Sequence, residues 1–203
     1  MSKEHHLIMI PGLSDQGFLQ KRLMNLVPEY WRKYGIIGHV VYPNWEDGES
    51  FAPKLKRMVK KVDELIEQDH DVSVMGLSAG GSAVLNIFCE RKNVLRGAIN
   101  ATGRLRAGER VHPSLDFAAK SSLAFKESVL LFENKNEKIL TKDDRKRIMT
   151  IRPLWDEIVP ASTVAVQGAD NRIIPVIDHL LAGGYVSFIY GKKIVLFINK
   201  QIE

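Results

Sequence analysis

One short motif in the sequence has the residue types and spacing for nucleophilic chemistry. Gly76-Leu77-Ser78-Ala79-Gly80 has the form G-x-S-x-G and follows a short apolar run. In that context the motif is typical of a sharp strand-to-helix turn that exposes a serine hydroxyl. Such a turn needs small residues two positions to either side, and Gly76 and Gly80 have no Cβ. The motif therefore predicts Ser78 as a nucleophile, with the backbone N–H of Ala79 directed at a developing oxyanion.

Two other interpretations of this stretch are weaker. It could be a glycine-rich turn that carries an ordinary surface serine. It could also bind phosphate, but it lacks the Lys-Ser/Thr ending of a P-loop and the spacing of a dinucleotide fingerprint. Catalysis is favoured, provided that the chain also supplies a base and an acid.

A serine hydroxyl needs a base to take its proton, and the base needs an acid to orient it. The sequence has six histidines, and His179 is the only one in its final third. It directly follows the apolar run Ile173–Ile177, which has the character of a last strand. His179 is therefore the predicted base, although a lone histidine can also be a surface or core residue.

Four carboxylates compete for the role of the acid. Asp156 is favoured because it stands in a turn shortly after the apolar run that ends near residue 151. Asp170 and Glu157 are rivals. Asp178 adjoins His179, and a carboxylate rarely reaches the ring Nδ1 of the next residue.

The elements that must hold these residues alternate between short apolar runs and longer amphipathic ones. This alternation predicts an α/β fold around a largely parallel sheet. Strands are expected at residues 6–10, 38–42, 71–75, 95–100, 148–151 and 173–177. Helices are expected at 17–34, at 79–90 and, with Ser50 as N-cap, over the periodic apolar residues from Phe51 to Ile66. The segment 186–198 fits a helix or a hairpin, and helix is favoured.

The motifs together resemble those of the α/β-hydrolase superfamily, as in a small serine esterase or lipase. Ile10-Pro11-Gly12-Leu13 resembles the family's His-Gly-x loop, with Pro11 in place of the histidine. Gly76–Gly80 resembles the nucleophile elbow, and Asp156-Glu-Ile-Val-Pro160 resembles the Asp-x-x-Val-Pro acid turn. The position of His179 is similar to that of the family's histidine after the last strand.

The resemblance implies a fold and a set of roles. Ser78 would be the nucleophile, His179 the general base and then acid, and Asp156 the residue that orients it. The N–H groups of Leu13 and Ala79 would form the oxyanion hole. The expected fold is a minimal α/β-hydrolase domain over residues 1–203, without the family's first two antiparallel strands. It would have a central, mostly parallel sheet of about six strands with helices on both faces, and residues 103–150 would form a small helical lid or cap insertion.

The implied reaction is acyl transfer through an acyl-enzyme, as in a carboxylesterase, on a small-molecule acyl substrate. A peptidase, a thioesterase or a non-catalytic binding protein on the same fold are the alternatives. Arg104 and Phe125 are tentative substrate-binding residues, the first for an anionic group and the second for an acyl chain. Alternatively, Phe125 packs in the core and Arg104 is a solvated loop residue.

Composition limits the remaining possibilities. The 203 residues are 45% hydrophobic and 26% charged, and the net charge of +5 comes from basic residues interleaved with acidic ones. This pattern predicts no nucleic-acid binding, and no apolar run is long enough for a membrane span. One cysteine excludes an internal disulfide, and the absence of a secretory signal pattern predicts a cytoplasmic protein. No metal-ligand spacing is present, so neither metal nor cofactor is expected.

Overall fold

The computed structural model describes residues 4–201, which form an alternating series of strands and helices. The strands are β1 (His5–Ile10), β2 (Ile36–Val40), β3 (Asp71–Leu77), β4 (Ala98–Ala101), β5 (Ile148–Pro153) and β6 (Asp170–Ile174). The helices are α1 (Phe18–Trp31), α2 (Phe51–Glu67), α3 (Ala79–Arg91), α4 (Leu115–Ala118), α5 (Leu123–Asn134), α6 (Lys142–Lys146), α7 (His179–Phe188) and α8 (Gly191–Asn199). Short 3-10 helices lie at Arg32–Tyr34, Asn136–Ile139 and Ala161–Thr163.

The strands form one six-stranded sheet in the order β2-β1-β3-β4-β5-β6. Every neighbouring pair is parallel, which confirms the sequence prediction of a largely parallel sheet. The chain runs outward from β1 to β2 and then returns to the other side of β1 to form β3. The strand order therefore reverses between β1 and β3. In open α/β sheets, ligands bind beyond the carboxyl ends of the strands at such a point.

Helices cover both faces of the sheet, as the alternating pattern predicted. Ile8 and Ile10 of β1 face a core shared with α2, α3 and α5. Leu7 and Met9 face the opposite core, which is shared with α1, α7 and α8. Successive side chains of a strand point to opposite faces, so a strand that is covered on both sides reads as a continuous apolar run.

Helix α3, which follows the serine, is the most deeply enclosed helix. Every residue from Ala79 to Cys89 is buried, because the helix lies against the sheet and contacts both α2 and α5. Small residues fill its first turns and allow this close approach. The helix that begins directly after the candidate nucleophile therefore belongs to the buried centre of the protein.

The segment 103–150 differs from the expected lid. Its main helix, α5, packs on α3 through buried polar contacts: the Asn86 amide donates to the Ser128 carbonyl at 2.9 Å, and the hydroxyls of Ser82 and Ser128 are 2.7 Å apart. Helix α5 is thus the crossover helix between β4 and β5. Only residues 103–122, which follow the carboxyl end of β4, remain at the edge of the sheet where a lid could act.

Several boundaries also differ from the sequence prediction. Strand β6 begins and ends three residues earlier than expected, because its residues 171–173 are exposed at the sheet edge and give no apolar run. Residues 186–198 lie in two helices, α7 and α8, which meet at an angle of 60°. Within residues 4–201 no single helix has the length and apolar character to span a bilayer, and α7 and α8 reach that threshold only as a bent pair.

Candidate active site

The turn after β3 gives Ser78 an unusual backbone conformation. Its φ of 51° and ψ of −119° lie in a region that residues with a side chain rarely adopt. Two hydrogen bonds hold this conformation: the Ser78 N–H donates to the Ala101 carbonyl at 2.9 Å, and the Gly81 N–H donates to the Ser78 carbonyl at 2.8 Å. Such strain persists where the surrounding structure enforces it, and it concentrates at functional sites.

The two glycines that flank Ser78 in the motif are required by close backbone approach. A Cβ on Gly76 would lie 2.0 Å from the Gly80 carbonyl oxygen. A Cβ on Gly80 would lie 2.2 Å from the Ile10 carbonyl oxygen. No side chain can be accommodated at such distances, so the strand, the turn and the helix can pack in this way only with glycine at both positions.

The structure brings Ser78, His179 and Asp156 into one hydrogen-bonded row. The Ser78 Oγ lies 2.9 Å from His179 Nε2, and His179 Nδ1 lies 2.8 Å from Asp156 Oδ2. The three residues come from the ends of β3, β5 and β6, and 101 positions separate the serine from the histidine. The side chains of His179 and Asp156 are only 6% and 4% exposed, so water competes weakly for the bond between them.

The carboxylate of Asp156 is held in place by its own turn. Its Oδ1 accepts the N–H groups of Ile158 at 2.9 Å and Val159 at 2.7 Å. Its Oδ2 is left to face the imidazole. One oxygen thus fixes the orientation of the carboxylate, and the other accepts from His179 Nδ1 when that nitrogen carries the proton.

The other three candidate acids have different partners. Asp170 pairs with Arg172 on β6 at 2.5 Å. Asp178 is the N-cap of α7, where its side chain accepts the Leu181 N–H at 2.8 Å. Glu157 accepts the backbone N–H of His179, at 3.1 and 3.3 Å from its two oxygens. Glu157 therefore anchors the main chain of the histidine, a role that the sequence analysis did not anticipate.

The two expected oxyanion donors lie in the loop after β1 and at the start of α3, which meet at the serine. Ala79 is the first residue of α3, where N–H groups have no acceptor within the helix. Leu13 follows Gly12 in the loop after β1. A Cβ on Gly12 would lie 2.9 Å from the Ser78 Cβ and 3.4 Å from its Oγ, so this loop passes directly beside the hydroxyl. In residues 4–201, neither N–H donates to a loop or side-chain acceptor.

Large apolar side chains are exposed around this row of residues. Leu154 and Trp155 precede Asp156 and are each 60% exposed. Leu180 and Leu181 follow His179 and are 78% and 67% exposed. We call these four residues, together with Ile177, the apolar rim. A concentration of exposed apolar side chains of this kind typically marks a binding surface.

The tentative substrate-binding residues have structural roles instead. Arg104 is 1% exposed, and its guanidinium donates to the carbonyls of Arg106, Ala107 and Pro113. Burial away from water also lowers its pKa. Phe125 is 5% exposed and lies in the core beside Trp45. The expectation that these two side chains contact substrate is therefore corrected, because one braces the 103–113 loop and the other fills the core.

Two other features lie away from this edge of the sheet. A surface groove of about 470 Å³ lies between α2, α3 and α5, and its lining includes none of Ser78, Asp156 and His179. In residues 4–201, one group of potential metal ligands (Glu4, His6 and His70) lies at the opposite, amino-terminal edge of the strands.

Comparisons with known proteins give the fold its name. No protein-family model matches the sequence, and no curated protein sequence matches it. Est1E from Butyrivibrio proteoclasticus is similar in structure, with a TM-score of 0.65 at 17% identity over 98% of this chain and 89% of that one. A structure reported for the metagenome-derived lipolytic enzymes LipS and LipT has a TM-score of 0.68 at 14% identity, over 98% of this chain and 94% of that one. An alpha/beta hydrolase superfamily protein from Enterococcus faecalis has a TM-score of 0.55 at 13% identity, over 98% of this chain and 92% of that one.

This chain therefore has the α/β-hydrolase fold, in a form with six parallel strands. The resemblance inferred from the sequence motifs is confirmed at the level of the fold.

Proposed function

We propose that this protein is a serine hydrolase that cleaves an ester-type acyl bond through Ser78, His179 and Asp156. One observation carries the proposal: a serine on a strained turn lies 2.9 Å from an imidazole whose other nitrogen lies 2.8 Å from a carboxylate. Nucleophile, base and orienting acid are recognised by this mutual geometry. A binding protein on the same fold would have no need of all three.

In the first half of the reaction, the Ser78 Oγ attacks the acyl carbonyl carbon while His179 Nε2 takes the hydroxyl proton. The carboxylate of Asp156 stabilises the imidazolium that forms. The N–H groups of Leu13 and Ala79 bind the oxyanion of the tetrahedral intermediate. Loss of one such donor commonly costs about 10²- to 10³-fold in rate.

Collapse of the intermediate expels the alcohol, which receives its proton from His179. The acyl group is left as an ester on Ser78. In the second half, His179 takes a proton from water, the hydroxide attacks the acyl-enzyme, and the Ser78 oxygen recovers its proton as the acid leaves. Base and acid are the same residue in turn, so the cycle ends with the row of residues as it began.

The apolar rim supports a substrate with an apolar acyl or alcohol part. Its exposed side chains adjoin Asp156 and His179 in sequence, so they lie at the same carboxyl-terminal edge of the sheet as Ser78. Neither Arg104 nor Arg106 supports an anionic substrate, because both guanidinium groups bond to groups of the protein itself. A thioesterase or a peptidase would use the same residues and the same steps.

The direct test is labelling of the purified protein with a fluorophosphonate probe, with Ser78→Ala as the control variant. We expect the parent to be labelled and the variant to be unlabelled, because the probe reacts only with an activated serine. Hydrolysis of an ester, a thioester and an anilide with one common acyl group then ranks the three bond types. A folded parent that takes up no label would contradict the proposal and favour a binding protein.

A further inference from the structure

A second cluster of chemically capable side chains lies at the far end of the sheet. His6 is in β1, His39 is in β2, and His70 immediately precedes β3, while Glu4 precedes β1. His6 pairs in register with Val72, six residues before Ser78 along the same strand direction. At 3.3 Å per residue, the cluster is about 20 Å from the candidate nucleophile.

The geometry of the cluster centres on His6. Its Nδ1 lies 2.8 Å from His39 Nε2, within hydrogen-bond distance. Its ring stacks on that of His70, with centroids 4.0 Å apart and an interplanar angle of 15°. Its Nε2 lies 3.7 Å from a carboxylate oxygen of Glu4, which is too far for a hydrogen bond. One ligand atom from each of Glu4, His6 and His70 falls within 4.8 Å of the others.

The Nε2 of His6 is the atom that points to a ligand. His6 is 6% exposed, and this nitrogen is buried without a hydrogen-bond partner among residues 4–201. A buried polar atom without a hydrogen-bond partner is destabilising, so native structures rarely leave one. A bound cation would remove this cost by taking the lone pair.

We propose that Glu4, His6 and His70 bind a Zn²⁺ ion at the amino-terminal edge of the sheet. Two imidazoles and a carboxylate are a recognised zinc ligand set, and a water would complete the tetrahedron. Tetrahedral zinc at about 2.1 Å from each ligand requires ligand atoms about 3.4 Å apart. The in-plane lone pairs of the stacked His6 and His70 rings do not converge, so metal binding requires His70 to turn out of the stack and Glu4 to move closer. Both residues lie outside the strands and are more exposed than His6, which leaves them room for these movements.

His39 acts on the site through His6. When the Nδ1 of His6 carries the proton and donates it to His39 Nε2, the Nε2 of His6 is left with a free lone pair. Zinc-bound histidines commonly donate their second N–H in this way, and loss of such a partner typically weakens metal affinity about 10- to 100-fold.

The sequence predicts no metal site, because its histidines and carboxylates show no metal-ligand spacing. The proposed ligands come from two separate segments, residues 4–6 and residue 70, which only the parallel pairing of β1 and β3 brings together. Metal binding there would tie the start of the described chain to the loop before β3. The expected consequence is added stability, with no effect on chemistry at Ser78.

The test is Zn²⁺ binding to untagged protein that has first been dialysed against a chelator. Affinity is measured by competition with a chromogenic chelator, and stability is measured by thermal unfolding. We expect one Zn²⁺ per chain and a raised Tm. We also expect Kd to rise at least tenfold in His70→Ala and in Glu4→Gln. Both substitutions lie outside helices and strands, so the variants should fold, and circular dichroism checks that they do.

Two controls separate this site from other histidines. His112→Ala removes an exposed histidine outside the cluster, and His179→Ala removes the candidate catalytic base. Both should bind Zn²⁺ within twofold of the parent. The proposal is overturned if the parent binds no Zn²⁺ at 100 µM, if His70→Ala binds as the parent does, or if binding disappears in His179→Ala.

Discussion

Replacement of Asp156 by asparagine is the sharpest test of the proposed chemistry, because the structure dictates how the new amide must orient. Oδ1 of Asp156 accepts two backbone N–H groups, from Ile158 and Val159. In Asp156→Asn, the amide oxygen must take that place, and the NH₂ group must then face His179. The imidazole would respond by carrying its proton on Nε2, where it can no longer accept the proton of Ser78.

The expected loss of kcat in Asp156→Asn follows from the free-energy cost of the flipped amide orientation. To restore the productive tautomer, the amide would have to flip and point its NH₂ group at the two backbone N–H groups. That flip leaves the two backbone N–H groups without an acceptor, at a cost of about 1–3 kcal/mol each, or about 2–6 kcal/mol in total. At about 1.36 kcal/mol for each tenfold change in rate, kcat should fall by about 10- to 10⁴-fold.

The assay is hydrolysis of a short-chain nitrophenyl ester, with kcat and KM measured separately. Asp170→Asn is the matched control: it is the same substitution at an acid that pairs with Arg172, and it should change kcat by less than about threefold. KM should change little in both variants, because neither carboxylate is placed to bind substrate. A loss below tenfold in Asp156→Asn would refute the assignment of Asp156 as the residue that orients His179.

Three further predictions concern other parts of the protein. Gly12→Ala should lower kcat by at least tenfold and leave the fold intact, because the new Cβ would lie 2.9 Å from the Cβ of Ser78; ester hydrolysis and circular dichroism check this. Asn86→Ala should lower the free energy of unfolding by about 2–3 kcal/mol in urea titrations, because it removes two buried hydrogen bonds, one to the Ser128 carbonyl and one from the Asn136 amide. Cys89 should resist alkylation at pH 8 in the native protein and react once unfolded, because burial raises its thiol pKa to about 12 and only the thiolate is nucleophilic.

The parts of the fold that the sequence predicted best are those encoded locally. The buried strands β1 and β3 each contain a short, largely apolar run that leads into a glycine-containing turn. The G-x-S-x-G motif carries its own steric requirement, so its residues alone predicted the turn at Ser78. The approximate position of His179 followed from the order of elements along the chain, which short connections in α/β folds largely preserve.

The features that the sequence did not predict depend on neighbours distant in the chain. Strand β6 lies at the sheet edge, where exposed residues interrupt the apolar pattern. The sequence around Arg104 does not indicate that carbonyls of its own loop surround its guanidinium. Glu157 is one position from Asp156, and only the folded chain shows that it supports His179 through the backbone. The histidine cluster arises from the register of three strands, which no spacing in the sequence reports.

The backbone at Ser78 has a consequence for how this protein can evolve. A residue with a Cβ at φ 51° and ψ −119° costs about 1–3 kcal/mol relative to an unstrained conformation, whereas glycine adopts this region readily. Selection for thermostability alone would therefore favour glycine at position 78, and only selection for the hydroxyl opposes it. A lineage released from the reaction would be expected to drift toward glycine there, and the stability difference between Ser78→Gly and Ser78→Ala measures that pressure.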